Sequence, residues 1–244
     1  MKTSGNTVLI TGGASGIGLA LAEALLKRRN EVIICGRRRE RLLAAKERLP
    51  EIHVRVCDVS GTRSRRALVD WLASDFKDLN LLVNNAGIQR PVDFLKGTRD
   101  LEDADEEIAT NLIAPIHLSA LLIPCLRRKK EAAIVNISSG LAFTPLATVP
   151  VYCASKAAVH SLSLCLRHQM RDTSVHVFEV APPMVSTELL GTRMRPEQTE
   201  HTMSPEAVAV GILDALERSD HEVALGVAAN LHAQREALFT AING

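Results

Sequence analysis

The feature that most constrains this chain lies near its start. The apolar run Thr7 to Thr11 passes directly into Gly12-Gly13-Ala14-Ser15-Gly16-Ile17-Gly18, and a helical pattern follows, with Ile17, Leu21, Ala24 and Leu25 on one face. A strand, a glycine-rich turn and a helix in immediate succession open a βαβ unit, whose next strand must return parallel to the first. The rest of the chain keeps that rhythm. Apolar runs recur at Glu31 to Cys35, Ile52 to Cys57, Asn80 to Val83, Ala132 to Ile137, Val175 to Val180 and Glu222 to Leu225, with helical stretches such as Glu40 to Leu49 between them. Several runs are continuously apolar rather than alternating, as when helices cover both faces of a parallel sheet. The pattern predicts a doubly wound α/β fold in a single domain spanning residues 1–244, with no internal repeat or linker.

Length and composition agree. The chain has 244 residues, of which 46% are hydrophobic, enough for a sizeable core without disulfides or metals. Lys plus Arg (29) nearly balance Asp plus Glu (28), so a net charge of +1 offers no footprint for nucleic acid or an anionic membrane. The run Leu118 to Leu126 is too short to span a bilayer and contains Pro124. No signal-peptide pattern precedes the first strand. The five cysteines are scattered, odd in number and without a Cys-x-x-Cys pair, which suits a reducing cytoplasm. None of the eight histidines shows metal-ligand spacing, so no metal is expected.

The glycine-rich turn has a chemical reading. Glycines let a backbone tighten and approach a pyrophosphate, and the following helix presents free N–H groups and partial positive charge to that anion. Gly12, Ser15, Gly16, Ile17 and Gly18 are the expected contacts; a tight turn without a ligand is the plainer alternative. The second strand ends in Cys35-Gly36-Arg37-Arg38-Arg39. An acid at this place would bind ribose hydroxyls, and none is present. Positive charges at a helix start oppose its dipole, whereas Arg37 and Arg38 would suit a 2′-phosphate. The expectation is NADP(H), with NAD possible; a solvated basic patch is the alternative. Asp58, followed by Val59, ends the third strand and either accepts an adenine amino group or caps a helix. Asn85, Ala86 and Gly87 form a small-residue turn that either passes beneath the cofactor or is a plain turn.

A second constellation lies further on. Tyr152, the only tyrosine, precedes Lys156 by one helical turn, so the two share a helix face. A phenol has a pKa of about 10, and a neighbouring ammonium favours its ionised form. Such a pair can give a proton to a carbonyl or take one from an alcohol, although this spacing alone is commonly structural. Ser139, adjacent to Ser138 at the end of a strand, offers a hydroxyl to orient the substrate oxygen. Asn111 stands four residues before Pro115, which lacks the N–H that would bond the Asn111 carbonyl. That carbonyl is then free to hold a water linking Lys156 to solvent, or the proline simply kinks the helix.

The polar, aperiodic segment 191–204 follows a strand's C-terminal end and reads as a substrate lid or a surface loop, with Arg193 and Arg195 in it. Ser204-Pro205-Glu206 then reads as a helix start. Leu141, Phe143, Leu146 and Val149 are expected to border an apolar pocket.

Taken together, Thr11 to Gly18, Asp58, Asn84 to Gly87, Asn111, Ser139, Tyr152 and Lys156 resemble the short-chain dehydrogenase/reductase family over nearly the whole chain. Stretches such as Thr7 to Gly13, Ser138 to Phe143 and Ala181-Pro182-Pro183 are similar to its DltE-like branch of uncharacterised oxidoreductases. The resemblance implies a Rossmann-type fold with a parallel sheet of about seven strands. It implies Tyr152 as acid/base, Ser139 as substrate orienter, Lys156 on the nicotinamide ribose as well, and Asn111 in a proton relay. It further implies cofactor contacts at Tyr152, Pro182, Val185 and Thr187, a small carbonyl or alcohol substrate, and a homodimer or homotetramer. Two departures stand out: Pro183 replaces the usual glycine, and a terminal Asp-Gly-Gly is missing. The function expected is hydride transfer between NADP(H) and a carbonyl or secondary alcohol. The alternative is a non-catalytic dinucleotide-binding regulator or scaffold; an epimerase or dehydratase would need a longer chain.

Overall fold

The computed structural model describes residues 1–187, 189 and 202–244. Seven strands form one sheet: β1 (Thr7–Thr11), β2 (Glu31–Gly36), β3 (His53–Val56), β4 (Leu79–Asn84), β5 (Ala132–Ile137), β6 (Val175–Ala181) and β7 (Glu222–Ala224). Their order is β3-β2-β1-β4-β5-β6-β7, and every pairing is parallel. The order reverses between β1 and β4, which opens a crevice beyond the C-terminal ends of these strands, where ligands bind in open α/β sheets.

The continuous apolar runs have a direct cause. Along β1, Val8 and Ile10 enter one core cluster while Leu9 enters the other. In β2, Val32 and Ile34 oppose Ile33, and in β4, Leu81 and Val83 oppose Leu82. Side chains alternate between two buried faces, so neither face calls for polar residues. Each such aliphatic side chain contributes roughly 1.5–3 kcal/mol when fully buried. The edge strands are short: β3 carries an exposed Arg55 and Val56, and β7 has three residues, which limits edge-to-edge pairing.

Helices α1 (Gly16–Lys27), α2 (Arg39–Arg48), α3 (Thr62–Asp75), α4 (Ala104–Ile108), α5 (Ala114–Leu126), α6 (Pro150–Met170) and α7 (Pro205–Arg218) flank the sheet, followed by α8 (Ala228–Gln234) and α9 (Phe239–Asn243). Helix α1 ends at Lys27, and Arg29 beyond it takes φ 61°, a left-handed conformation that ends a helix. At α7 the expected start is present: the Ser204 hydroxyl accepts the Ala207 N–H at 3.1 Å, with Pro205 in the first turn.

Between α4 and α5 the residues Ala109–Ile113 form a π turn. The helical run from Arg99 to Leu126 is 28 residues long and, by length and composition alone, apolar enough to cross a membrane. In this fold it sends Ala114, Leu118, Leu122 and Leu126 into the core instead. Beneath the C-terminal end of the sheet lies a buried polar bridge. Asn84 Nδ2 donates to Asn136 Oδ1 (2.9 Å), and Asn136 Nδ2 donates to Ser163 Oγ on α6 (2.9 Å).

Candidate active site

The turn after β1 is shaped by missing side chains. Gly12 has φ +65°, and a Cβ on it would lie 2.9 Å from Ala86 Cα. A Cβ on Gly18, inside α1, would lie 2.6 Å from the Gly12 carbonyl oxygen. Gly16 has φ +52°, and a Cβ there would meet Thr187 Cγ2 at 2.9 Å, so Thr187 packs against the start of α1. Ser15 caps that helix without a side-chain hydrogen bond to it. Asn85 Nδ2 donates to the carbonyls of Thr11 (2.9 Å) and Gly12 (3.2 Å), and Thr11 Oγ1 accepts the N–H groups of Asn85 and Ala86. The Asn85 side chain thus builds the turn. A glycine cradle at the N-terminus of a three-turn helix fits a dinucleotide pyrophosphate.

At the end of β2, Arg37 is held in an ion pair by Glu106, which Arg90 also grips at 2.6 Å. The Arg90 and Arg37 hydrogen bonds keep the Glu106 carboxyl below its ordinary range. Asp58 Oδ1 accepts the N–H and hydroxyl of Ser60 (3.0 and 2.7 Å), so it closes a turn rather than capping α3, whose N-cap is Gly61. Buried Arg65 donates to the carbonyls of Val59 (2.6 Å) and Ser60 (2.8 Å) and bridges to His117 (3.0 Å). No local spacing announces that brace, nor the pairing of Cys35 with Cys57. The Cys35 hydrogen bond, helped by Ser64, lowers the Cys57 thiol to about 7.

The catalytic candidates converge where β5 ends and α6 begins. Ser139 starts the turn Gly140–Ala142, and its Oγ accepts the Leu141 N–H at 3.1 Å. Pro150 stands in the first turn of α6, and Tyr152 and Lys156 on that helix are both buried. Burial pushes the Tyr152 phenol up to about 12; a hydrogen bond with Ser139 partly opposes this, while Cys153 and Glu107 add to it. Burial likewise pulls Lys156 down to about 8 against the charges of Glu179 and Glu107. The Lys156 ammonium lies 5.6 Å from the Tyr152 ring centroid and donates to the Ile137 carbonyl at 2.8 Å.

Asn111 sits within the π turn, the form that the break before Pro115 takes. Its Nδ2 donates to the Ile88 carbonyl (2.9 Å) and to Ser155 Oγ (3.1 Å), and its Oδ1 accepts the Ile88 N–H (2.9 Å). Gly87 lies between the two groups: a Cβ there would be 3.5 Å from Asn111 Oδ1 and 3.7 Å from Lys156 Nζ. Beside them is Glu107, a residue that the sequence patterns do not single out. It is fully buried, one of its oxygens has no partner, and burial raises it to about 7 despite Arg90 and Lys156.

After β6, the Pro182 carbonyl accepts the Gly140 N–H (3.0 Å), tying this segment to the Ser139 turn. Val185 bridges to Met203. Of the expected lid, residues 191–201 lie outside the described residues, Arg193 and Arg195 among them. Leu141 and Leu146 pack with Val149 and Tyr152. Phe143 does not join them. Its ring sits edge-on between His160 (4.8 Å) and His232 (4.4 Å).

Comparisons with known proteins match this arrangement. Residues 6–198 fit the family model described as short chain dehydrogenase. The uncharacterized oxidoreductase DltE of Bacillus subtilis (strain 168) is 54% identical over 225 residues, covering 91% of this chain and 89% of that protein. An NADP-dependent 3-hydroxy acid dehydrogenase of Schizosaccharomyces pombe is 29% identical, with 91% of each chain covered. A short chain dehydrogenase from Burkholderia cenocepacia J2315, solved in complex with NADP, superposes with a TM-score of 0.84 at 28% identity over 99% of both chains. A buried tyrosine and lysine beside a glycine cradle is therefore no chance convergence here: the chain belongs to the short-chain dehydrogenase family.

Proposed function

We propose that the protein transfers hydride between NADP(H) and a carbonyl or secondary alcohol, with Tyr152 as the acid/base. The observation that carries this reading is the burial of Tyr152 and Lys156 together, with Tyr152 within reach of Ser139 and Lys156 beside Gly87. The nicotinamide, when bound, supplies the hydride acceptor or donor. The chain's own residues do the rest. Ser139 orients the substrate oxygen. In reduction, Tyr152 Oη gives that oxygen its proton; in oxidation it takes one. Lys156 holds a positive charge one helical turn away, which favours phenolate over phenol. Buried and neutral when alone, Tyr152 becomes an effective acid/base only when positive charge gathers around it. Asn111 is assigned to the path that returns protons to Lys156.

The preference for the phosphorylated cofactor rests on Gly36, where no acid stands, and on Arg37 and Arg38 after it. Arg37, paired with Glu106, can share its five N–H donors between that carboxylate and a 2′-phosphate. Asp58, Val59, Ala86, Gly87, Val185 and Thr187 are assigned to the cofactor's remaining groups, and Pro182 to the nicotinamide end. The substrate is assigned to a partly apolar carbonyl, facing Leu141, Leu146 and Val149. Exposed apolar side chains on α5 and α6, Leu121 and Leu164, suit an oligomer built through these helices.

The test is NADPH oxidation against a broad carbonyl panel. The wild type is expected to turn over at least one member, and Tyr152→Phe to retain NADPH binding while losing turnover. A variant as active as the wild type would remove Tyr152 as the acid, and a cofactor-binding protein inert to every carbonyl would favour the regulator instead.

A further inference from the structure

Past Lys156, the next turn of α6 carries a second cluster, of different chemistry. His160 Nδ1 lies 2.8 Å from Glu179 Oε2. Glu179 stands on β6 directly opposite Glu222 on β7, and ligand atoms of His160, Glu179 and Glu222 all lie within 4.8 Å of one another. Glu222 Oε1 pairs in turn with His232 Nε2 of α8 at 2.9 Å, while its Oε2 is reached by Arg167 only at 3.4 Å. The positions 160, 179, 222 and 232 are far apart in sequence, which is why no ligand spacing appears there.

Two features call for more positive charge than these residues supply. Glu179 is completely buried, and its Oε1 has no hydrogen-bond partner. A buried carboxylate normally has its lone pairs satisfied, since an unpaired one carries a desolvation penalty of several kcal/mol. Second, two carboxylates in register on neighbouring strands repel, most strongly where water is excluded. An imidazole nitrogen with two carboxylates is a donor set for a first-row divalent ion such as Mn²⁺ or Zn²⁺; hard ions such as Ca²⁺ prefer oxygen alone.

We propose that His160, Glu179 and Glu222 form a divalent-metal site, with His232 holding Glu222 in place from behind. Its role is structural. The ligands come from α6, β6 and β7, so the ion joins the last strand to the helix that carries Tyr152. Residues around these ligands extend that staple. Phe143 packs edge-on against both imidazoles, and Thr144 Oγ1 donates to the carbonyls of Leu231 (3.1 Å) and Arg235 (2.8 Å). The C-terminal segment and the turn after Ser139 are thereby fastened to the same centre. This inference does not depend on the oxidoreductase reading.

The experiment titrates MnCl₂ into the chelator-treated full chain and counts free Mn²⁺ by electron paramagnetic resonance, a probe with little affinity for the cysteine thiols. ZnCl₂ is then added as a competitor, and thermal unfolding is followed by circular dichroism. One Mn²⁺ per chain is expected, displaced by Zn²⁺ and accompanied by a higher unfolding temperature. His160→Ala should abolish binding with an unchanged far-ultraviolet spectrum, and His232→Gln should weaken it about tenfold. No binding by the wild type, or equal binding by His160→Ala, overturns the site. Should His160→Ala fail to fold, Glu222→Gln takes its place, and an affinity equal to the wild type's overturns the site in the same way.

Discussion

The two halves of the crevice are built on opposite physical plans. Around β1 the structure works by subtraction. Gly12, Gly16 and Gly18 leave space where any side chain would meet Ala86, Thr187 or the turn itself, and the polar groups on offer are backbone N–H groups. Around α6 it works by forced inclusion. Tyr152, Lys156 and Glu107 are buried ionisable groups, each displaced from its ordinary titration range by loss of water. The first plan recognises a shape and an anion that differ little between substrates. The second keeps ionisable groups away from water, so that burial favours their neutral forms at a cost in stability.

That contrast can be broken or sharpened by substitution. The largest effect is expected at Tyr152: Phe there should lower turnover by about 10³-fold, within the usual span for removing a general acid, as read in steady-state rates at saturating NADPH. In the subtractive half, Gly12→Ala should destabilise the fold by about 2 kcal/mol, because φ +65° and contact with the Ala86 backbone both oppose a Cβ; denaturant melts measure this. An unaltered midpoint would show that the turn relaxes easily.

Glu107 tests the other plan through pH. Its folded value of about 7 lies above the ordinary 4.5. Below pH 4.5 both folded and unfolded states hold the proton, and no penalty exists. As pH rises from 4.5 to 7 the unfolded state ionises first, so folding stability falls, and the penalty is complete above 7. Glu107→Gln should therefore stabilise the protein by about 1–2 kcal/mol at pH 8 and by little at pH 4. Equal effects at both values would deny that the carboxylate is held protonated. The smallest effect is at Arg37. NADPH should bind more tightly than NADH, and Arg37→Ala should narrow the gap about tenfold, or ~1.4 kcal/mol, in a fluorescence titration. Equal affinities in the wild type would end the case for the phosphorylated cofactor.

What could be read from the sequence was what the chain writes locally. Strands show as apolar runs, the cradle as glycines between strand and helix, and Tyr152 and Lys156 as neighbours four apart. All seven strands are legible as apolar runs, with ends that differ by at most one residue. What escaped was everything requiring register. Asn84 meets Asn136 only because β4 pairs with β5 in one alignment. Glu106 reaches Arg37 across 69 residues, so an arginine that reads as open to a phosphate is already engaged. Asn85 reads as part of a small-residue turn beneath the cofactor, and only the fold shows that its amide also holds the glycine turn. Glu179 and Glu222 were unremarkable strand residues until β6 and β7 lay side by side.

The bridge from Asn84 through Asn136 to Ser163 has one further consequence. It acts as an alignment pin between the sheet and α6. A one-residue slip of β5 would turn Asn136 to the other face and strand three buried polar groups, so the helix bearing Tyr152 has a single energetically acceptable seat. The turns after β5 and β6 lie beyond that pin. They can drift in sequence and length without unseating Tyr152 and Lys156, so, under the proposed function, a change of substrate need not wait for a change in the geometry of that pair.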